Sequence, residues 1–188
     1  MADFSLKAAP VLGGLDLNIG QCKLVERTDI ALISAAVPLD GRTAFEARLK
    51  TEWNLDTPSP ATSTHAGPMR AIPMTADQMM LAFEPGPTLT EASVHAALDS
   101  DAYTTTQTDA WVILELSGAG ATTALERICP VDLDAEAFPV NGAARTTMEH
   151  LGVLIVRLGT DCFLLLSARS SAQSFLHAVE ISCDWTAP

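Results

Sequence analysis

The chain has 188 residues and a formal net charge of −12, from 11 Lys and Arg against 23 Asp and Glu. Hydrophobic residues make up 48% and charged residues 18%, which argues against disorder. Either a partner covers part of this apolar surface, or the alanine-rich composition alone accounts for the figure. The acidic balance, with no cluster of Lys or Arg, argues against nucleic acid as a partner. A chain of this length can bury about 70% of its unfolded surface, so it needs neither disulfides nor metal to fold.

The N-terminal sequence, MADFSLKAAPVLGG, has no basic region followed by a long apolar run, so we expect no secretory signal. No membrane span is predicted either, because Arg157 and Asp161 interrupt the most apolar region. We therefore expect a cytoplasmic protein. In that compartment its cysteines are expected to be buried or half-buried thiols, namely Cys22, Cys129, Cys162 and Cys183.

Residues 1–14 are predicted to form an extended N-terminal arm. Alternating apolar residues over 15–19 indicate a short half-exposed strand, and residues 29–37 indicate a second strand. Asp40 is the expected N-cap of a helix that ends near Trp53.

Residues 54–68 are rich in Pro, Ser and Thr and predict a mobile loop. A strand pair is then expected at 69–74 and 78–83. Thr88 and Glu91 have the spacing of a capping box, which predicts a helix start there.

The second half of the chain repeats this order. Residues 111–116 predict a buried strand, and a helix with one apolar face follows and ends at Pro130. Residues 153–158 and 163–166 predict two strands joined by a turn. Ser170 and Gln173 have the spacing of a capping box for a last helix.

The two halves align in pattern with an offset of about 80 residues. The alignment predicts an N-terminal arm (1–14), a first half-repeat (15–100) and a second half-repeat (101–188) within one compact domain, with residues 103–107 as an extra first strand of the second half. The predicted fold class is α+β. A duplicated strand-strand-helix-strands-helix module favours two antiparallel or mixed sheets faced by helices over a doubly wound parallel sheet.

Gly118 and Gly120 follow a strand and open a helix, as the glycines of a dinucleotide-binding turn do. However, Thr123 occupies the sixth position of that motif, and no parallel βαβ unit follows. A phosphate-binding loop and a nucleophile elbow are also missing from the sequence. We therefore predict no cofactor-binding residue in this chain.

The spacing of the histidines, of Cys129 and of the acidic residues matches no catalytic or metal-binding motif. His65, His95, His150 and His177 lack metal-ligand spacing and are predicted to be solvated or structural. Cys129 would need a neighbouring base to act as a nucleophile, and the sequence indicates none. The acidic groups predict solvated surface and not an acid–base pair; they are Asp132, Asp134 and Glu136, and Glu180 with Asp184. No catalytic or metal-binding residue is predicted.

Residues 124–140 and 144–150 carry a resemblance. Their most specific parts are the CPVDL turn at 129–133, Phe138-Pro139, and Arg145-Thr146 ahead of His150, and the match continues through 163–172. This region resembles the gamma subunits of bacterial heterotetrameric sarcosine oxidases. Wider relatives are the aminomethyltransferases of the glycine cleavage system and the folate-binding domain of a tRNA-modifying GTPase. The good match covers residues 111–180.

The resemblance implies a non-catalytic gamma subunit that supports oxidative demethylation of sarcosine to glycine, with one-carbon transfer to tetrahydrofolate. It places FAD, FMN, NAD and tetrahydrofolate on the alpha, beta and delta partner subunits, and the main contact on the C-terminal half of alpha. The isolated chain is then expected to be inactive. Residues 129–133 and 145–150 are expected to lie between elements, beside that partner.

Two alternatives remain open. One is a free-standing small folate-binding or aminomethyltransferase-like protein with the same fold. The other is a homodimeric scaffold whose apolar surface pairs with itself.

Overall fold

Strands and helices alternate along residues 9–186, which are the residues that the computed structural model describes. The helices are α1 (Arg42–Trp53), α2 (Glu91–Leu98), α3 (Ala121–Glu126) and α4 (Ala172–Asp184). The strands are β1 (Asp16–Ile19), β2 (Cys22–Glu26), β3 (Ala31–Ala36), β4 (Thr64–Ala66), β5 (Met69–Thr75), β6 (Gln78–Phe83), β7 (Tyr103–Thr106), β8 (Trp111–Ser117), β9 (Ala143–Met148), β10 (Leu151–Gly159) and β11 (Cys162–Ala168).

The strands form two antiparallel sheets. Sheet A has the order β1-β2-β8-β11-β10-β9, and sheet B has the order β4-β5-β6-β3-β7. The predicted strand pairs are confirmed as hairpins, with Leu154 opposite Leu166 in sheet A and Ile72 opposite Met80 in sheet B. Five neighbouring pairs (β1–β2, β4–β5, β5–β6, β9–β10 and β10–β11) are consecutive in sequence and joined by short turns, as hairpins are.

The two sheets pack face to face. Leu32, Ile72 and Met80 from sheet B share one buried cluster with Leu154 and Leu166 from sheet A. The outer face of each sheet is covered by helices. Buried residues of α3 and α4 pack on sheet A, and those of α1 and α2 pack on sheet B. The predicted α+β class, with two sheets faced by helices, is therefore confirmed.

The sheets repeat one another, but sheet A contains two strands, and sheet B one strand, from the other half of the sequence. The central order β8-β11-β10-β9 of sheet A corresponds to β3-β6-β5-β4 of sheet B. The next strand in sheet B is β7, the predicted first strand of the second half, and it pairs with β3 through Thr104 and Ala35. In return, β2 pairs with β8 of sheet A through Leu24 and Leu116. The predicted boundary near residue 100 stays a prediction.

Part of the predicted N-terminal arm is held against sheet A. Residues 1–8 lie outside the described residues. Beyond them, the backbone N–H groups of Leu12 and Gly14 donate to the Glu26 carboxylate at 3.0 and 2.7 Å. Glu26 is only 7% exposed, so these bonds compensate a buried carboxylate at the end of β2.

Three predicted helix caps were wrong. Asp40 adopts a left-handed conformation, with φ 61°, and Gly41 is the N-cap of α1. Thr90, and not Thr88, caps α2, because Thr90 is extended and exchanges hydrogen bonds with Ser93. Ser170 lies in a short 3-10 turn, and α4 begins after Ser171 without a side-chain cap.

Three strands, β2, β4 and β9, were missing from the prediction. Strand β2 has charged residues among its buried ones, and β9 (Ala143–Met148) is a polar strand at the edge of sheet A. Strand β9 also corrects the expectation that residues 145–150 lie between elements, because most of that segment is paired with β10. Edge strands need only one buried face, so their apolar signal is weak. The predicted loop 54–68 likewise contains the short strand β4.

Candidate functional site

The two glycines that follow β8 are explained by close packing. Gly118 has φ +109°, and a Cβ atom there would lie 2.4 Å from the Gln21 carbonyl oxygen. At Gly120 a Cβ would lie 2.8 Å from the Thr186 hydroxyl. Both glycines therefore let the start of α3 approach the β1–β2 turn and the end of α4. This close approach of the backbone accounts for a glycine at both positions.

The four histidines lie apart from one another. His95 is held by two threonines of β7, with Nδ1 2.7 Å from Thr104 Oγ1 and Nε2 3.0 Å from Thr106 Oγ1. His65, His150 and His177 are exposed. Within residues 9–186, no three His, Cys, Asp or Glu side chains are grouped as a metal site would need.

The acidic segment after Pro130 forms surface turns. The Asp132 carboxylate accepts the N–H of Asp134 at 3.0 Å, and the Asp134 carboxylate accepts the N–H of Glu136 at 2.8 Å. All three side chains are exposed. The carboxylates of Asp132 and Asp134 thus act as turn-forming acceptors, as Asp commonly does in loops.

Cys129 lies just before this segment and is 6% exposed. Burial raises the pKa of the Cys129 thiol above its ordinary value, which opposes formation of the reactive thiolate. Cys22, Cys162 and Cys183 are also free thiols. Among them only Cys162 is half-buried, and the other two are buried.

A groove of about 470 Å³ runs along the outer face of α4, between that helix, the end of α3 and the β9–β10 turn. We call it the α4 groove. Its α4 wall recurs at helical spacing, so one stripe of the helix faces it. The groove is lined by Arg127, Ile128, Glu149, His150, Leu151, Ser174, His177, Ala178, Ile181, Ser182 and Trp185.

Two large apolar side chains of the α4 groove are open to solvent. Ile181 is 46% exposed and Trp185 is 68% exposed, and they are four residues apart on one helix face. Arg127 stacks over the Trp185 ring, with its guanidinium carbon 4.9 Å from the ring centroid. A tryptophan steadied by an arginine and left exposed is typical of a protein interface.

The α4 groove adjoins part of the segments that sequence analysis singled out. Its wall includes His150 from the second segment and Ile128, the residue before the CPVDL turn. Ile181, Trp185 and Arg127 were not predicted as functional residues. The sequence pattern could have indicated Ile181 and Trp185, because they are four residues apart and lie outside the buried face of α4 that Phe175 and Val179 form.

Comparison with known proteins gives the following matches. No protein-family model matches the chain. A sequence from Corynebacterium sp. (strain P-1), named Sarcosine oxidase subunit gamma, is 38% identical over 65 residues, which are 35% of this chain and 32% of that protein. The aligned part therefore spans about a third of that relative's length. The predicted resemblance to gamma subunits of sarcosine oxidase is therefore confirmed.

Two solved structures share the fold. A chain of the heterotetrameric sarcosine oxidase from Corynebacterium sp. U-96 matches with a TM-score of 0.79 and 21% identity, covering 92% of this chain and 89% of that one. Glycine cleavage system aminomethyltransferase T from Bartonella henselae matches with a TM-score of 0.60 and 13% identity, covering 86% of this chain and 46% of that one. The chain thus has the aminomethyltransferase-like fold, and among such proteins it resembles sarcosine oxidase subunit gamma.

None of the helices formed by residues 9–186 is long and apolar enough to cross a bilayer.

Proposed function

We propose that this chain is the gamma subunit of a heterotetrameric sarcosine oxidase, and that it acts as an assembly subunit in the cytoplasm. Its likeness to a chain of such an oxidase over nearly the full length of both supports this proposal. So does the 38% identity to a subunit of that name. The observation that carries the assembly role is the exposed apolar face of α4, with Ile181 and Trp185.

In this proposal the α4 groove contacts a partner subunit, mainly the C-terminal half of alpha. Exposed apolar side chains such as Ile181 and Trp185 gain free energy when their surface is removed from water. Burying them in an interface would therefore contribute favourably to assembly. The flavins, NAD and tetrahydrofolate belong to the alpha, beta and delta partners. This chain then supplies no reacting group to the oxidation of sarcosine.

The test is co-expression of this chain with alpha, beta and delta subunits, followed by affinity capture of alpha. We expect the chain to co-purify in one complex with oxidase activity, and the isolated chain to show neither flavin absorbance nor activity. A chain that stays behind while the other three assemble would contradict the proposal.

The surface is tested separately. Ile181→Asp should release the chain from the complex, while Leu39→Asp should not, although Leu39 is 95% exposed. Ile181 lies on the α4 groove and Leu39 does not, so the pair distinguishes a specific contact from general surface polarity. If both variants assemble, the α4 groove is not the contact, and the subunit assignment would still stand on the first experiment.

A second candidate is a free-standing folate-binding or aminomethyltransferase-like protein. The likeness to aminomethyltransferase T favours it, although this chain spans 46% of that structure. It requires saturable binding of tetrahydrofolate by this chain alone, measured by calorimetry. A flat titration would remove it. Light scattering on the same sample tests self-pairing, since a homodimer would double the measured mass.

A further inference from the structure

Arg70 projects between the two sheets. Its neighbours Met69 and Ala71 on β5 belong to the core under the helices, whereas the next residue along, Ile72, belongs to the core between the sheets. Because side chains alternate along a strand, Arg70 shares the inter-sheet face with Ile72. A cationic side chain on this face needs polar partners, since burial of an unpaired charge is costly.

Among residues 9–186, hydrogen-bond partners are present for only one nitrogen of Arg70. Nη1 donates to Ser63 Oγ at 2.7 Å and to Asn141 Oδ1 at 2.9 Å. For Nε and Nη2, residues 9–186 supply no acceptor within hydrogen-bond distance, and no carboxylate of these residues forms an ion pair with Arg70. Burial accordingly lowers the pKa of the Arg70 guanidinium.

Two other partly or fully buried arginines, Arg27 and Arg157, have hydrogen-bond partners for every guanidinium nitrogen. Arg27 donates through Nε, Nη1 and Nη2 to three carboxylates. Arg157 also uses all three nitrogens, which donate to backbone carbonyls. Arg70 differs from both, because Nε and Nη2, which form one edge of its guanidinium, have no acceptor among residues 9–186. That edge is the fork that binds a carboxylate through two parallel hydrogen bonds.

Arg70 lines a cavity of about 240 Å³ at the mouth of the inter-sheet space, and no side-chain nitrogen of Arg70 is fully buried without a hydrogen-bond partner. Leu158 and Leu164 of sheet A line it opposite Ala82 of sheet B. His65 also lines it and lies directly across from Arg70 in the β4–β5 register. The carboxylate of the cavity, Glu84, is already bound by Arg27 at 2.8 Å. The cavity thus combines an unneutralised cation with an apolar wall.

We propose that this cavity binds a small monocarboxylate with a compact apolar body. The carboxylate accepts hydrogen bonds from Nε and Nη2 of Arg70, and the body packs against Leu158 and Leu164. The volume lies below the range of drug-sized pockets, which selects a ligand of about the size of benzoate. The proposal is independent of the assembly role, since it concerns the inter-sheet mouth and not the α4 groove.

The test titrates the full chain with benzoate, and separately with benzamide and inorganic phosphate, by NMR or calorimetry. We expect saturable binding of benzoate alone. Benzamide lacks the charge, and phosphate lacks the apolar body. Arg70→Gln should weaken benzoate binding at least about tenfold, because hydrogen bonds to a charged group are lost. Arg145→Gln, at an exposed arginine of edge strand β9, should leave it unchanged.

A second variant keeps the test decisive if Arg70→Gln fails to fold. Leu158→Trp leaves Arg70 in place and fills the cavity from its half-buried wall, so it should abolish benzoate binding. The proposal is overturned by a flat benzoate titration of the wild type, by equal binding of benzamide or phosphate, or by unchanged binding in a folded Arg70→Gln or Leu158→Trp chain.

Discussion

The Arg27 guanidinium lies 2.6 Å from the Glu115 carboxylate and joins the two sheets. Arg27 is on the β2–β3 connection and Glu115 is on β8 of sheet A. A second nitrogen of Arg27 lies 2.8 Å from Glu84, which follows the end of β6 in sheet B. The Arg27 side chain is 21% exposed, so solvent screens these contacts only partly.

Arg27→Gln should therefore lower the free energy of unfolding by about 1–3 kcal/mol, because several charge-assisted hydrogen bonds are lost. Urea unfolding followed by circular dichroism measures the change. The matched control is Lys23→Gln, whose pair with Asp16 is about half exposed on both sides. That variant should lose no more than about 0.5 kcal/mol. Equal losses in the two variants would show that Arg27 does not hold the sheets together.

Asp29 predicts a pH dependence. The hydrogen bond and charge of Arg27 lower the pKa of Asp29 below its ordinary value of 3.8. A lowered pKa in the folded state means that this contribution is complete above pH 3.8 and is lost as the pH falls through the lower value. Asp29→Asn should thus cost stability at neutral pH, by less than about 1 kcal/mol because the side chain is largely exposed.

At acid pH the difference between wild type and Asp29→Asn should vanish, since wild-type Asp29 is then protonated as well. Urea unfolding of both chains at neutral pH, and again at a pH below the lowered pKa of Asp29, measures this difference. The same pair compared in an Arg27→Gln background is the control, where the difference should be small at every pH. A difference that stays constant down to acid pH would refute the coupling.

Gly118→Ala should destabilise the chain. Gly118 has φ +109°, and the new methyl group would meet the Gln21 carbonyl oxygen, which is backbone and cannot move aside easily. We expect a loss of about 2–3 kcal/mol from backbone strain and overpacking. Gly152→Ala is the control, because nothing lies within 4 Å of a Cβ at that exposed strand position. Thermal unfolding compares the two, and similar melting temperatures would contradict the packing argument.

Cys162 should be the first thiol to react with an aromatic disulfide reagent. It is half-buried, whereas Cys22, Cys129 and Cys183 are 4%, 6% and 0% exposed. Burial raises the pKa of Cys162, so its rate should rise with pH as the thiolate forms. The native chain should show a single fast-reacting equivalent that disappears in Cys162→Ser. Persistence of the fast phase in that variant would show that one of the buried cysteines is accessible.

The sequence predicts the α+β architecture because its central strands are apolar on both faces. In β10 and β11, for example, long apolar runs meet a clear Gly159-Thr160-Asp161 turn. The exchange of β2 and β7 between the halves is invisible in the pattern, since it depends on pairing of residues far apart in sequence. Strand β9 was missed for a different reason. It lies at a sheet edge, where polar residues such as Arg145 are tolerated.

The candidate sites were less predictable than the fold. Ile181 and Trp185 could have been found from their spacing, once the buried face of α4 was assigned. Arg70 could not have been found in this way. Its role depends on which side of β5 faces the other sheet and on contacts with Ser63 and Asn141, which are set by tertiary structure. The sequence pattern of β5 does not indicate whether the arginine within it will have a carboxylate as an ion-pair partner.

Arg157 anchors the turn at residues 133–138. It is 4% exposed and binds the carbonyl oxygens of Leu133 at 3.1 Å, Phe138 at 2.7 Å and Thr160 at 2.8 Å. Its guanidinium also stacks on Phe163, at 5.0 Å from the ring centroid. This one side chain therefore fixes both ends of the acidic 133–138 turn to the β10–β11 hairpin.

Arg157→Met keeps the apolar stem but leaves these carbonyls without their donor, so the free energy of unfolding should fall by about 3 kcal/mol or more. Arg157→Lys should lose less, because one ammonium group can satisfy some of the carbonyls but not all. Arg145→Met, at an exposed arginine of β9, is the control and should change stability by less than about 0.5 kcal/mol. Hydrogen exchange of the Phe138 amide, which donates to the Asp134 carbonyl at 2.8 Å, reports on the turn itself. If that amide stays protected in Arg157→Met, the acidic turn is held by its own hydrogen bonds and Arg157 contributes only to the core beneath it.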